Sequence, residues 1–461
     1  MGEDPLITAV RSGDEDAVRL LLEDGADPDA VDEQGSPALC LAISAFNSTI
    51  ASYLVEGGAD PDRQLPDGTT PRLRAVDSGS IGLAHCLLGE AAQLSEATRV
   101  ELLARARQWH EVGPVAMLRE RTSASDPVER VRIRDREWSA DYHELRLGGM
   151  TVRDGHTGIL TLLEEHFGLH PGIDELAARA CALEYPDWEH AAWWEITRTL
   201  AQRQDNETWE GATALRAHPD PLHRRFGAEV LISLNLGDPM SDAPSPFEQR
   251  TLEFLLGWAA EEEHPDVLAE TLSGLGQHED PRIEPLGLSF LAHSAPQVRA
   301  RVASTLRIVD SERSGRQTFT SEGLNALLAL AQDTDASVRK VAAYRLAHSL
   351  NPEPAVGDIL AGLLDDDDQP TRIWAVHGLA ERDDPRCVDG AGRVGHVDEY
   401  EAWSWILGAP ARYEQRQKEQ DAPAARTDCE STIAAVGSAK RPSFSRTLSR
   451  SRSCGARRAA P

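Results

Sequence analysis

Apolar residues recur at helical spacing along most of the chain, and the stripes they draw repeat at a fixed interval. Ala9 maps onto Ala42 and Ala75, Leu21 onto Leu54 and Leu87, and Leu22 onto Val55 and Leu88, in steps of 33 residues. The string GADPD opens at Gly25 and again at Gly58, with the same offset. Such self-similarity predicts a helical unit stacked on copies of itself, because one unit alone cannot cover its apolar face. Further helical stripes follow at 94–109 (Val100, Leu102, Leu103, Ala106), 157–166, 173–183 and 188–202. The densely charged stretch 128–138 reads as a solvated helix or linker, and 143–153 alternates around Gly148-Gly149 in the manner of a hairpin.

The N-terminal copies carry motifs as well as spacing. The third reads Gly68-Thr69-Thr70-Pro71-Arg72-Leu73-Arg74-Ala75, the second Gly35-Ser36-Pro37-Ala38-Leu39-Cys40-Leu41-Ala42, and the first keeps Pro5, Leu6 and Ala9. Proline in the first helical turn wastes no donor, and Gly25 and Gly58 are placed to end a helix in the left-handed conformation. These strings make residues 1–92 resemble ankyrin repeats, with the Leu and His of the T-P-L-H motif replaced. The resemblance implies helix pairs joined by projecting turns and a role in recognising other proteins.

A second array has a looser period. Asp333 and Asp335 lead to Val338-Arg339, Ala342, Ala343 and Leu346; Asp366 and Asp368 lead to Thr371-Arg372, Ala375, Val376 and Leu379. Val298-Arg299 to Leu306 and His223-Arg224 to Leu231 are earlier copies, and Val267-Leu268 to Leu275 is one without the Arg. This order of small and apolar positions, over about 205–390, resembles HEAT repeats, which implies antiparallel helix pairs stacked into a superhelix. Each Arg is expected to bond the D-x-D turn before it and so join repeat to repeat. Arg299 has only His293-Ser294 there, which leaves its place in the ladder open. Positions one and five after the Arg are expected to face solvent: Arg225 and Glu229, Ala300 and Ser304, Lys340 and Tyr344, Ile373 and His377. With the acidic turn residues Asp29, Asp32, Asp62 and Asp67, the Arg225, Glu229, Lys340, Tyr344, Ile373 and His377 positions form the candidate partner-binding set.

Charge narrows the partner. Of 461 residues, 47 are basic and 76 acidic, for a net charge of −29. Such a chain repels phosphate backbones and anionic membranes and favours a basic protein or peptide. From Gly437 onward there are seven basic residues and no acidic one, within a Ser/Arg-rich tail that cannot bury enough apolar surface to fold. Nucleic acid is an expected partner only there. The six cysteines include no C-x-x-C, which suits neither a disulfide framework nor zinc. The acidic start Met1-Gly2-Glu3-Asp4 is unlike a signal peptide and no apolar run has membrane-spanning length, so a cytoplasmic location is expected.

Motifs that carry chemistry are missing. There is no phosphate-binding G-x-x-x-x-G-K-[S/T] and no G-x-S-x-G elbow. Glu165-His166 and His170 do not make H-E-x-x-H, and Pro171 stops the helix that would align the two rings. Asp365–Asp368 read as a helix N-cap rather than a cation loop. No catalytic, cofactor-binding or metal-binding residue is therefore expected. The sequence predicts an all-α chain: ankyrin-like repeats over 1–92, a helical adaptor with room for one short hairpin over 93–187, a HEAT-like α-solenoid over 188–408, and a disordered tail over 409–461. The function expected is a non-enzymatic interaction scaffold. An enzyme working on a nucleic acid base or a chromophore in the superhelical groove, or a structural subunit of a larger assembly, stays open.

Overall fold

The computed structural model of the protein describes residues 4–89, 91–135, 137–186, 189–236, 245–311, 316–397 and 406–421. Among these the chain is mostly helical, with 23 α-helices and 5 short strands. The helices at the N-terminus come in pairs: Pro5–Ser12 with Glu15–Glu23, Ala38–Ser44 with Ser48–Glu56, and Pro71–Ser78 with Ile81–Leu88. Local chemistry sets their ends. Asp14, Asn47 and Thr70 cap helices by accepting the N–H of Ala17, Ile50 and Leu73. Gly25 and Gly58, at φ 90° and 102°, stop the second helix of two pairs. Their hydrogen bonds are the same one period apart: Ala26 N–H to Leu21 and Gly25 N–H to Leu22, then Ala59 N–H to Leu54 and Gly58 N–H to Val55. The apolar stripes seen in the sequence meet in one cluster built on Leu6, Ile7, Val18, Ile50, Leu54, Leu83 and Leu87.

Residues 128–138 are not a helix. Glu129–Asp135 is strand β1, antiparallel to β2 (Ala140–Leu147), which turns at Gly148-Gly149 into β3 (Met150–Arg153). The hairpin expected at 143–153 is thus present as part of a three-stranded meander. Val131 and Ile133 alternate with Arg130, Arg132 and Arg134, and Arg130 bonds Glu184, beyond the sheet. Arg132 and Arg134 both donate to Asp141. The sheet docks against the third helix pair. Ile81 N–H donates to the Tyr142 hydroxyl (3.2 Å) and Gly155 N–H to the Gly79 carbonyl (3.1 Å). Asp77, in the same pair, accepts from Trp109 Nε1 (2.6 Å), Arg105 (2.7 Å) and Arg121 (2.9 Å).

From Ile173 onward, helix pairs stack in one direction. The second helices of the pairs are Ala191–Arg203, Pro221–Asn235, Pro265–Leu275, Pro296–Thr305, Ala336–Ala347 and Gln369–Glu381, and each packs on the next. Two apolar clusters run through the stack, one centred on Trp193, Phe226, Trp258 and Leu272, the other on Val338, Leu346, Trp374 and Leu379. A hairpin, β4 (Ile308–Ser311) and β5 (Gln317–Phe319), is inserted after the fourth of these helices. Asp368 caps the Gln369–Glu381 helix through Thr371 N–H, as its sequence context predicts. The segment read as a disordered tail begins with a helix, Ala409–Asp421, whose Ala409 is buried and whose Arg416 donates to the Ala380 carbonyl and to Asp383. The Ser/Arg-rich run of that tail, Cys429 and Cys454 lie outside the described residues.

Candidate functional site

The Arg of each repeat in the second array has one geometry. Its Nη1 turns back to the two carbonyl oxygens six and five residues upstream: His218 and Pro219 for Arg224, His293 and Ser294 for Arg299, Asp333 and Thr334 for Arg339, Asp366 and Asp367 for Arg372. The rest of the guanidinium reaches forward to the next turn. Arg224 takes Glu262, Arg299 takes Asp333, Arg339 takes Asp366, and Arg372 ends on the Val394 carbonyl. The ladder joins repeats as expected, but the carboxylate comes from the following turn rather than the preceding one. Arg299 is therefore a full member. Arg299 and Arg339 in turn hold Asp333 and Asp366 below the usual carboxylate range.

The candidate partner-binding residues divide into exposed and buried. Tyr344 is exposed (38%) and Lys340 half-buried on the same helix. Glu229 (7% exposed), Ile373 (1%) and His377 (5%) are buried, against expectation. Each second helix is flanked by two others, so only a narrow stripe of it meets solvent. The fifth position after the Arg meets the neighbouring second helix at Glu229 and His377 but not at Tyr344, and the first position is covered at Ile373. His377 lies beside Trp374 and His348, and Ile373 joins the core. Burial, with the charges of His348, Arg412 and Arg316, pushes His377 down to about 4. Arg225 is spent on Glu229 (3.1 Å).

In the first array the acidic turns are largely neutralised from within. Asp32 is buried, contrary to its reading as an exposed tip. It accepts the N–H groups of Gln34 (2.9 Å) and Ser36 (2.8 Å) and the Arg11 guanidinium (2.8 Å), which hold it below the usual range. Asp62 accepts two bonds from Arg72 (2.8 and 2.9 Å). Asp67 accepts from Thr69 and Arg74, and the Thr69 bonds bring it down to about 2. Asp29 accepts the Asp60 N–H (3.2 Å) of the following copy. Asp62 and Asp67 nonetheless stay exposed.

Two groupings escaped sequence reading. In the first, Trp193, Trp194, Glu229, Glu270 and Arg301 line a cavity of about 330 Å³ on the wall of second helices. Trp193 Nε1 donates to Glu229, yet burial and the nearby Glu270 charge push Glu229 up to about 8. These residues come from separate repeats, so no local spacing marks them. In the second, Asp154 Oδ2 lies between His143 Nδ1 (3.0 Å) and His190 Nε2 (3.1 Å), next to a cavity of about 260 Å³ lined by Arg132, Asp141, Glu184 and Tyr185. Two histidines and a carboxylate with ligand atoms within 4.8 Å of one another have the composition of a metal site. Their hydrogen bonds do not suit one. His190 Nδ1 accepts the Ala192 N–H (3.2 Å), which places the ring proton on Nε2, aimed at Asp154. A metal on Nε2 would leave a ring with no N–H to donate, whereas ligating histidines donate their other nitrogen. The arrangement is a hydrogen-bonded bridge from the sheet to the first of the second helices. Burial alone would raise Asp154; the bonds and charges of His190 and His143 together outweigh it and keep the carboxylate below its usual range.

Among solved structures the chain is similar to an X-ray structure of Escherichia coli YibA, at 16% identity and TM-score 0.37, over 52% of this chain and 93% of that one. It is also similar to an engineered protein, at 14% identity and TM-score 0.35, over 90% of this chain and 98% of that one. No curated protein matches the chain. Residues 6–98 match the family model for ankyrin repeats in three copies, and the N-terminal part of the chain is therefore an ankyrin-repeat array.

Proposed function

We propose that the protein is a non-enzymatic scaffold that holds a protein or peptide partner on its repeat surfaces. The observation that carries this reading is the three-copy ankyrin array with its turns projecting at Asp62 and Asp67. A stacked array offers a long, rigid surface and little enclosed volume, which suits recognition better than chemistry. The second array, read as HEAT-like, extends that surface, with the exposed Tyr344 and the half-buried Lys340 beside it as its anchors. A basic partner fits the net charge of −29. Cys40, Cys86, Cys181 and Cys387 are free, which suits a reducing compartment such as the cytoplasm. No helix among the described residues is long and apolar enough to cross a membrane.

Affinity capture with the full chain tests the reading. A polypeptide retained by the parent chain and lost with K340E/Y344E at unchanged thermal unfolding, or with D62N/D67N while the helical content is kept, is the expected result. Retention that ignores both pairs of substitutions contradicts it. The enzymatic alternative draws on one observation, the Glu229 carboxyl, which burial and the Glu270 charge raise to about 8 against the bonds of Trp193 and Arg225. Under that reading E229Q abolishes turnover of a base or chromophore; under ours it leaves partner capture intact.

A further inference from the structure

Arg345, in the stacked array, has no counter-charge among the described residues. Arg345 extends from the Ala336–Ala347 helix, and its Nε is shielded from solvent without an acceptor. Among the described residues no carboxylate or carbonyl accepts from its Nη atoms either, and its one close partner is the ring of Phe319, 4.8 Å below the guanidinium. Burial pulls its pKa down, opposed by Tyr344 and by no carboxylate. The ladder arginines Arg224, Arg299 and Arg339 each hold an acid. Arg372 and Arg382 also lack an acid but are held by carbonyls, whereas Arg345 has neither, a state that folding alone does not favour.

Arg345 faces a cavity of about 330 Å³ between the loop after Leu275, the end of the Pro296–Thr305 helix and the start of β4. Arg307 lines the same cavity from an exposed position, and no described carboxylate pairs with its side chain. Gln277, His278, Ser304 and Thr305 add neutral polar lining. Two carboxylates, Glu279 and Asp280, line the cavity as well, and neither bonds Arg345 or the Arg307 side chain. Asp280 is taken by the Arg282 side chain and N–H, which bring it down to about 2, and Glu279 is exposed. The volume is that of a small-molecule site.

We propose that this cavity binds a small dianionic oxyanion, a phosphate monoester or a dicarboxylate, with Arg345 as the planar anchor and Arg307 as the second cationic contact. A guanidinium fork matches two oxygens of either group through paired, charge-assisted hydrogen bonds. The ligand would supply the counter-charge the fold omits. Binding would then stabilise the native state by mass action. The site is independent of the partner surface, and its failure would leave that reading untouched.

Thermal unfolding of the full chain in inorganic phosphate, in succinate and in chloride at matched ionic strength tests the proposal. Phosphate, succinate or both raise Tm above the chloride value, and the anion that does so identifies the ligand class. R345M abolishes the rise, yet in chloride melts at or above the parent temperature, because it removes a buried charge that has no partner. R345K keeps the charge without the fork and binds at least roughly tenfold more weakly. Should R345M fail to fold, R345K and R307Q carry the test, each expected to weaken the anion response. Equal Tm in all three salts, or variants that respond as the parent does, overturns the proposal.

Discussion

The carboxylate that holds Arg299 lies ahead of it in the chain. Nε and Nη2 of Arg299 each donate to Asp333 at 2.7 Å, while Nη1 reaches back to the His293 (2.8 Å) and Ser294 (3.0 Å) carbonyls. One side chain thereby closes its own repeat's turn and clasps the next. Asp333, held in this way, receives its own neighbour's N–H from Asp335 and so shapes the turn that Arg339 closes in the same manner.

Loss of a ladder rung is expected to cost far more than loss of a surface network of equal size. Arg339 and Asp366 are both largely shielded from solvent, and R339M strands the Asp366 carboxylate with the Asp333 and Thr334 carbonyls. Destabilisation of about 2–3 kcal/mol follows. Arg282 bridges Glu253 and Asp280 in the open, and R282A should change stability far less than R339M does. Urea unfolding of the two variants checks the contrast.

The same rungs predict acid lability. Asp333 and Asp366 titrate below their ordinary value in the folded chain, so the unfolded chain takes up protons first as pH falls. Their contribution is whole above the unfolded carboxylate pKa, about 4, and is lost as pH drops through the lower folded values. Stability measured against pH should fall below about pH 4, and the fall should be shallower in D333N.

Glu229 works in the opposite sense. Its folded pKa is raised from 4.5 to about 8, chiefly by burial and then by Glu270. Between those values the unfolded chain releases a proton that the folded chain keeps, so rising pH destabilises the fold. E229Q should flatten the dependence of Tm on pH across this window. A parent curve already flat there would contradict the burial of this carboxyl.

Gly13 and Gly79 share a backbone conformation, φ 70° and 71°, but not an environment. A Cβ on Gly13 meets nothing within 4 Å, whereas on Gly79 it would overlap the Arg153 carbonyl and the His156 ring. G13A should therefore cost only the left-handed penalty of about 1–2 kcal/mol. G79A should cost clearly more, and the excess in chemical denaturation measures how tightly the sheet seats on the third repeat.

Zinc provides a further check on the His143–Asp154–His190 bridge. Because Ala192 N–H fixes the His190 tautomer, stoichiometric Zn²⁺ should leave Tm unchanged. Replacing either histidine should loosen the sheet against the helix it meets. A zinc-dependent rise in Tm that vanishes in H190A would reverse this reading.

Much of the fold was legible because the repeat writes the same hydrogen bonds at the same offset. Gly25 and Gly58 announce their helix ends, and the Arg of each later repeat announces its turn. The strand Glu129–Asp135 was missed because its charge density masked a period of two. Arg130, Arg132 and Arg134 alternate with Val131 and Ile133, but the acids that neutralise them lie outside the strand, Asp141 on the next one and Glu184 and Glu189 far along the chain. Burial of Glu229, Ile373 and His377 was missed for a related reason. Helical periodicity marks one buried face, and these helices are covered on their flanks as well. Cavities fared worst, since Trp193, Glu229 and Glu270 meet only once three repeats are stacked.

Hydrogen exchange of the full chain, alone and with its captured partner, addresses the central claim directly. The scaffold reading predicts slowed exchange at the projecting turns around Asp62 and Asp67 and along the exposed stripe of the Ala336–Ala347 helix. Protection confined to the walls of the Glu229 cavity, with the repeat surfaces unchanged, would contradict it.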